Sequence, residues 1–406
     1  MPDTARPPSD KRFESPGDLA IFGAPPLFDT PRHVNRPQAP DRAAFEAFMA
    51  GIWERRWFTN DGPLVQALEA RLAEWLDVPH CVLTCNATIA LDLVMQALGV
   101  RGEVLIPSYT FISTAHLLTL RGMRPVFCEV GADMLLDPAD VAQRITQETG
   151  AVVATHVWGS PCDVDGLQMV CDRAGVPLIF DAAHAFGGRY GGHRLGRFGA
   201  AEVFSLHATK AFHACEGGLI TTTDAALALR LRLTRNFGFV ASDQVACAGI
   251  NAKMSELHAA MGLANLDAFE GTRAAARVIH AGYRDGLAGV AGIALKCPAQ
   301  AEDNNHHYVV CEIDEGALGL SRDRLVEILT AENVYARRYF YPGGHRSPPH
   351  LARTEAEGLS LPVTDALCAR VMLLPGGGAA DLEDVTRTCA LIRFIAAQAG
   401  AIGGRL

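Results

Sequence analysis

The sequence contains no pair of cysteines at CxxC spacing, although it has eleven cysteines, at positions 81, 85, 128, 162, 171, 215, 247, 297, 311, 368 and 389. An odd, scattered set in apolar surroundings argues against a disulfide framework or a cysteine zinc site and fits small thiols kept reduced. HExxH-type histidine spacing is lacking as well, the doublet His306-His307 notwithstanding, so no metal site is expected. No uninterrupted apolar run reaches the ~18 residues of a membrane span. The opening MPDTARPPSDKRFESPGD lacks the apolar stretch of a secretion signal. A cytoplasmic protein is therefore expected, with residues 1–18 as a mobile leader. Positive charge is also scarce: 36 Lys and Arg against 45 Asp and Glu give a net charge of -9, so no broad basic field draws in nucleic acid or an anionic membrane. Any anionic ligand needs a local pocket.

What is present is an ordinary globular composition, 49% apolar over 406 residues, enough for two or three domains with a sizeable core. From about residue 80 to 222, short β-rich runs alternate with helical patterns, the signature of an α/β fold with a mostly parallel sheet covered by helices. Expected strands are 81–84, 103–106, 125–128, 152–155, 178–180, 202–205 and 219–222. Their continuous apolar character fits burial on both faces. Between them, 88–98, 112–121, 138–147 and 164–173 carry helical spacing. Helical stretches over 224–235, 253–268 and 271–287 follow, and then a second α/β region: a strand at 307–313, a helix over 322–331, a strand at 334–339 and a last helix over 381–397. The organisation expected is a large domain, 19–270, and a small C-terminal domain, 271–406, with the boundary inside a long helix.

The chemistry concentrates in FDAAHAFGGRYGGHRLGRFGAAEVFSLHATKAFHACEGG, residues 180–218. Asp181 ends an apolar strand; Lys210, 29 residues later, follows the next strand in a polar loop. Both fall at C-terminal strand ends, where open α/β sheets bind ligands. A lysine near a buried carboxylate, with the glycine-rich EGG just beyond, suits a Schiff-base site in which the acid keeps a pyridine nitrogen protonated. That is pyridoxal phosphate chemistry. Taken singly, Asp181 reads as a turn or capping residue, Lys210 as a solvated side chain and Phe111 as core; Cys85 lacks a paired base and reads as a structural thiol.

The ordered set FTNDGPLVQALE (58–69), CNATIAL (85–91), PSYTF (107–111), HVWGSPCDVD (156–165), DAAHAFG (181–187), FSLHATK (204–210), EGG (216–218), RNFG (235–238) and NAKMSELHAAMGL (251–263) resembles the DegT/DnrJ/EryC1/StrS family of sugar aminotransferases, fold-type I enzymes that use pyridoxal phosphate. The resemblance implies that Lys210 binds the cofactor covalently and shuttles the proton, and that Asp181 pairs with the pyridine nitrogen. It implies that Phe111 stacks on the ring, that Ala87, Thr88 and Ser205 hold the phosphate, and that Asn251 reaches it from the neighbouring subunit of a homodimer with shared sites. His184 stands where many relatives have Gln, in reach of O3′ or the carboxylate end of the site; Ala87-Thr88 replaces the Gly-Thr of many relatives. The basic stretch YARRYFYPGGHRSPPH (335–350) resembles the branch acting on C4 of dTDP-4-keto-6-deoxy sugars. In that branch Arg337, Arg338, Tyr341, His345 and Arg346 would line the nucleotide-sugar cleft, arginine meeting diphosphate oxygens with paired donors. The implied reaction moves an amino group from L-glutamate to the C4 ketone of an NDP-4-keto-6-deoxyhexose, with pyridoxamine phosphate as the aminated form of the cofactor. A C3-keto sugar or keto-cyclitol is the alternative acceptor. A non-catalytic regulator or sensor would be marked by loss of Lys210 or Asp181, and both are present.

Overall fold

A computed structural model describes residues 11–296, 304–378 and 380–406. A seven-stranded sheet forms its centre: β1 (His80–Thr84), β2 (Glu103–Pro107), β3 (Arg124–Cys128), β4 (Thr149–Thr155), β5 (Leu178–Asp181), β6 (Ala201–Ser205) and β7 (Gly218–Thr222), in the order β1-β7-β6-β5-β4-β2-β3. All pairings are parallel except those of β7, which runs antiparallel to both β1 and β6. The strands alternate between two cores, because successive side chains leave a strand on opposite faces. Val104, Ile106, Ile179 and Val203 pack on one side; Leu105, Leu178 and Phe180 pack on the other. This is the doubly covered α/β sheet that the apolar runs imply, with all seven expected strands in place.

Local chemistry ends the helices cleanly. Asn86 caps the helix Ala87–Leu98 by accepting from Ile89 N–H at 2.9 Å, and Gly99 closes it with a left-handed φ of 70° that costs glycine little. Asp163 and Gly175 do the same for Val164–Ala174. Where the sequence suggests two helices over 253–268 and 271–287, the chain forms one, Glu256–Leu287. Ala259, Leu263 and Phe269 of that helix pack in the large unit, while Ile279, Tyr283 and Leu287 pack against a second sheet. That sheet has three antiparallel strands, Ile293–Leu295, Val309–Ile313 and Val371–Leu374. The expected strand over 334–339 is shorter, Val334–Tyr335, with a further bridge from Arg337 to Leu373.

The N-terminal segment corrects two expectations. Residues 1–10 of the expected leader lie outside the described residues, but 11–18 pack against the smaller unit: Lys11 pairs with Glu332 at 2.7 Å and Phe13 stacks on Phe394 at 5.3 Å. Leu19, Leu27 and Phe28 then enter the core of the smaller unit, and Arg32–His33 pairs in parallel with Val334–Tyr335. Residues 19–33 thus belong with the C-terminal half, not with the large domain. The anchor is Glu332, fully buried, whose carboxylate also accepts the backbone N–H groups of Ala20 (2.7 Å) and Leu27 (2.6 Å). Charge and three donors in one place outweigh the unpromising local sequence.

Candidate active site

The parallel strands β2, β4, β5 and β6 deliver their C-terminal ends to one cavity of about 700 Å³, where the chain order of the sheet switches direction between β2 and β4. Asp181, Lys210, Phe111, His184, Ser205, Ala87, Thr88 and Arg337 all line it. Asp181 is buried, accepting Ala183 N–H at 3.1 Å on one carboxylate oxygen and Thr114 Oγ1–H at 3.3 Å on the other. Burial pushes its pKa up; the Ala183 bond, the Lys210 charge, Thr114 and His156 oppose that and favour the carboxylate. Lys210 shows the reverse: burial brings its pKa down to about 8, against the attraction of Asp181, so a fraction of the amine is neutral near physiological pH. Its Nζ lies 3.4 Å from the Tyr308 hydroxyl.

An anion cradle opens on the same cavity. In the helix Ala87–Leu98 the Asn86 cap takes the Ile89 N–H, and Ala87 and Thr88, whose amides precede the first intrahelical bonds, line the cavity. The EGG motif explains how the helix start is held there: a Cβ on Gly218 would meet the Asn86 carbonyl oxygen at 2.4 Å and its carbon at 2.5 Å. Glycine lets β7 pass directly beneath the cap. Ser205 lines the cavity from the end of β6, accepting from His207 N–H at 3.4 Å. Opposite, His184 stacks on Trp158 with centroids 5.2 Å apart and planes 3° off parallel. Burial holds the His184 ring neutral, and its Nδ1 accepts Trp158 N–H at 3.4 Å, which places the ring proton on Nε2. Phe111 is half-exposed within the cavity, its ring available to stack.

The donor set fits pyridoxal phosphate: helix amides and hydroxyls for a phosphate, a buried carboxylate for a ring nitrogen, an aromatic face and a depressed lysine for the carbonyl carbon. Four of the five expected sugar-cleft residues do not join them. Arg337 lines the cavity with its guanidinium 4.2 Å above the Tyr339 ring, but Arg338 pairs with Asp323 at 3.3 Å and stands 5.3 Å over the Tyr341 ring. Tyr341 is exposed, outside the lining. His345 is buried against Ser108, Nδ1 to Oγ 2.6 Å, and Arg346 makes two bonds to Asp365 at 2.5 Å. The basic stretch is divided because Arg337 and Arg338 project to different sides, and the later residues are already paired within the chain. Asn251 is exposed outside this cavity, with Lys253 Nζ 2.7 Å from its Oδ1.

Sequence reasoning missed several lining residues: Thr114, Tyr308, Phe340 and the N-terminal His33, Val34 and Asn35. Their only common signal is three-dimensional, since they come from four separate segments. Among the described residues no group of three or more His, Cys, Asp or Glu could hold a metal ion, and no helix is long and apolar enough to cross a membrane. No disulfide joins any two of the ten described cysteines.

Sheet, lysine and acid define a pyridoxal phosphate-dependent aminotransferase of fold type I. The chain belongs to the DegT/DnrJ/EryC1/StrS aminotransferase family, whose model matches residues 41–393. A dTDP-4-amino-4,6-dideoxy-D-glucose transaminase of Escherichia coli is 36% identical over 344 residues, covering 84% of this chain and 92% of that protein. The structure of DesI in the presence of its TDP-sugar product superposes with a TM-score of 0.91 at 44% identity, covering 96% of this chain and 99% of that one. DesV of S. venezuelae, in complex with a ketimine intermediate, superposes at 0.80 with 30% identity, covering 87% and 95%.

Proposed function

We propose that the protein transfers an amino group from L-glutamate to the C4 ketone of an NDP-4-keto-6-deoxyhexose, dTDP-4-keto-6-deoxyglucose above all, giving a 4-amino-4,6-dideoxy sugar nucleotide. The observation that carries transamination is the buried Lys210 amine, its pKa lowered to about 8, in one cavity with Asp181. The C4 acceptor is supported by the name of the Escherichia coli relative, and a nucleotide-sugar substrate also by the TDP-sugar product of DesI. Bound there, pyridoxal phosphate supplies an electron sink for the pair left when a C–H bond next to nitrogen breaks. Ala87, Thr88 and Ser205 bind its phosphate, Phe111 covers one ring face, and Asp181 keeps the ring nitrogen protonated. His184 Nε2–H donates toward O3′ or the substrate carboxylate. Lys210, once released, takes the α-proton of the amino donor and later delivers a proton to the sugar carbon. Arg337 lines the cavity and is the proposed partner of the sugar nucleotide's diphosphate, whose oxygens a guanidinium can pair with.

The working unit is a cytoplasmic homodimer with shared sites. Exposed Phe237, Phe239, Val240 and Val245 form an apolar projection beside Asn251 for which a second copy is the proposed cover. Two units, a large one ending within the helix Glu256–Leu287 and a smaller one joined by the N-terminal segment, close the cavity between them. The test is visible absorbance of the cofactor-loaded protein with sequential additions. L-glutamate should bleach it and dTDP-4-keto-6-deoxyglucose should restore it, with the aminated sugar nucleotide detected by mass spectrometry. Bleaching without recovery refutes the C4 acceptor; no bleaching refutes transamination.

A further inference from the structure

Immediately before the strand Val309–Ile313 the chain reads Asn304-Asn305-His306-His307-Tyr308, and every one of these polar residues is nearly fully buried. Their partners are the backbones of the loops that make the cavity. Asn304 Nδ2 donates to Trp158 O at 3.0 Å; Asn305 Nδ2 donates to His184 O at 2.8 Å and Phe186 O at 3.1 Å; His307 Nε2 donates to Thr209 O at 2.8 Å. The strap also braces itself: Asn304 Oδ1 accepts His306 N–H and Asn305 Oδ1 accepts His307 N–H. Glycines leave room for it, since a Cβ on Gly377 would stand 2.4 Å from His307 Nδ1 and one on Gly159 would stand 3.0 Å from Asn305 Oδ1. Burial keeps the His307 pKa near about 4, so the ring is neutral and its single proton is committed to the Thr209 carbonyl, one residue before Lys210. Next along, the Tyr308 hydroxyl is the one side chain hydrogen-bonded to Lys210 Nζ among the described residues.

We propose that residues 304–308 are a positioning strap that fixes the Lys210 loop through His307, and that the Tyr308 hydroxyl holds the Lys210 side chain while it carries a proton. This rests on the assignment of Lys210 as the proton carrier. When the released amine takes up a proton it becomes an ammonium, and one of its N–H bonds points to the Tyr308 oxygen. Burial pushes the phenol pKa up, so Tyr308 keeps its own proton and, toward the ammonium, its oxygen accepts. A bond from an ammonium is stronger than one from a neutral amine, so the hydroxyl favours the protonated lysine and keeps it aimed at the cavity. The strap leads straight into the smaller sheet, which therefore takes part in placing the lysine.

The test measures Lys210 itself. In the full chain without cofactor, acetylation of Lys210 by acetic anhydride is followed against pH by peptide mass spectrometry, for wild type and Tyr308→Phe. The wild-type midpoint should lie near about 8, and Tyr308→Phe should lower it by about half to one unit, the charge-assisted bond being lost. An unchanged midpoint overturns the Tyr308 role. Amide exchange in the segment 209–215 should quicken in His307→Leu and recover in His307→Gln, which keeps a donor; equal exchange in all three overturns the strap. No turnover is involved, so these results stand or fall separately from the reaction with L-glutamate and the sugar ketone.

Discussion

Gly218→Ala probes the anion cradle without touching a group that contacts the cofactor. Gly218 does not have a left-handed φ, so its requirement is space alone. The added methyl meets the Asn86 carbonyl oxygen at 2.4 Å, the Asn86 carbon at 2.5 Å and Thr84 Oγ1 at 2.5 Å. The first two are backbone and cannot rotate away, so the start of the helix Ala87–Leu98 must retreat by about 1 Å to regain ordinary contact. Overpacking of this kind costs about 1–3 kcal/mol, which a chain of this size tolerates. The larger consequence falls on the phosphate: displacing fixed donors by about 1 Å weakens what they bind by up to about 100-fold. The expected outcome is a folded variant, melting a few degrees below wild type, with pyridoxal phosphate affinity reduced between about 10- and 100-fold by fluorescence titration. Turnover should recover at saturating cofactor. Affinity within twofold of wild type would refute the claim that the helix start, held by the Gly218 gap, anchors the phosphate.

Lys210→Ala should lower turnover by at least about 10⁴-fold, since a positioned proton carrier and the covalent anchor are lost together; steady-state assay of amino transfer checks it, and a wild-type rate removes Lys210 from the reaction. Asp181→Asn should cost about 100- to 1000-fold in kcat, the usual loss for one preorganised charge, with cofactor still bound by absorbance. The rate at which the cofactor-free protein takes up pyridoxal phosphate covalently should fall as pH drops below about 8, because burial has lowered the Lys210 pKa and only the neutral amine can attack the cofactor's carbonyl carbon. Below that point the fall is about tenfold per pH unit, and a flat profile from 6 to 9 counts against it. Glu332→Gln leaves Lys11 without its buried counter-charge and should destabilise the protein by about 3 kcal/mol, read by urea unfolding, with earlier proteolysis in residues 11–30. Unchanged cleavage there would remove Glu332 as the anchor of the N-terminal segment.

The sheet was legible because its strands are apolar on both faces and its helices are capped locally: Cys81–Thr84 or Leu178–Phe180 can hardly be anything else, and Asn86 and Gly99 mark a helix start and stop in the chain itself. Asp181 and Lys210 were legible because both follow strand ends, which converge wherever such a sheet forms, whereas Ala87 and Thr88 came from the family resemblance. The N-terminal segment was not. Leu19, Leu27 and Phe28 follow no period, and the partner that orders them, Glu332, lies more than three hundred residues away. The basic stretch was over-read for the opposite reason: charge is visible in a sequence, but whether Arg346 is free depends on Asp365 lying opposite it.

These two blind spots meet at the cavity. His33, Val34 and Asn35 arrive on a segment fixed by Glu332; Tyr335 arrives on the strand paired with it and Arg337 just beyond, bridged to Leu373; Tyr308 arrives on the strap. All six come from the smaller unit, while the acid, the lysine and the helix start come from the larger one. The residues that fit the cofactor therefore sit on the element type that a sequence displays best, parallel strands and their helices. Those that line the cavity from the smaller unit, which under the proposed reaction would face the sugar nucleotide, sit where long-range pairing decides position. Relatives sharing the first set need not share the second, so acceptor choice in this family should follow substitutions at 33–35, 335 and 337 more closely than substitutions around Lys210. Exchanging Tyr335 or Arg337 should change KM for the sugar nucleotide and leave the glutamate half-reaction at its original rate. A variant at either position that slows both half-reactions equally would show that this division of labour is not how the site works.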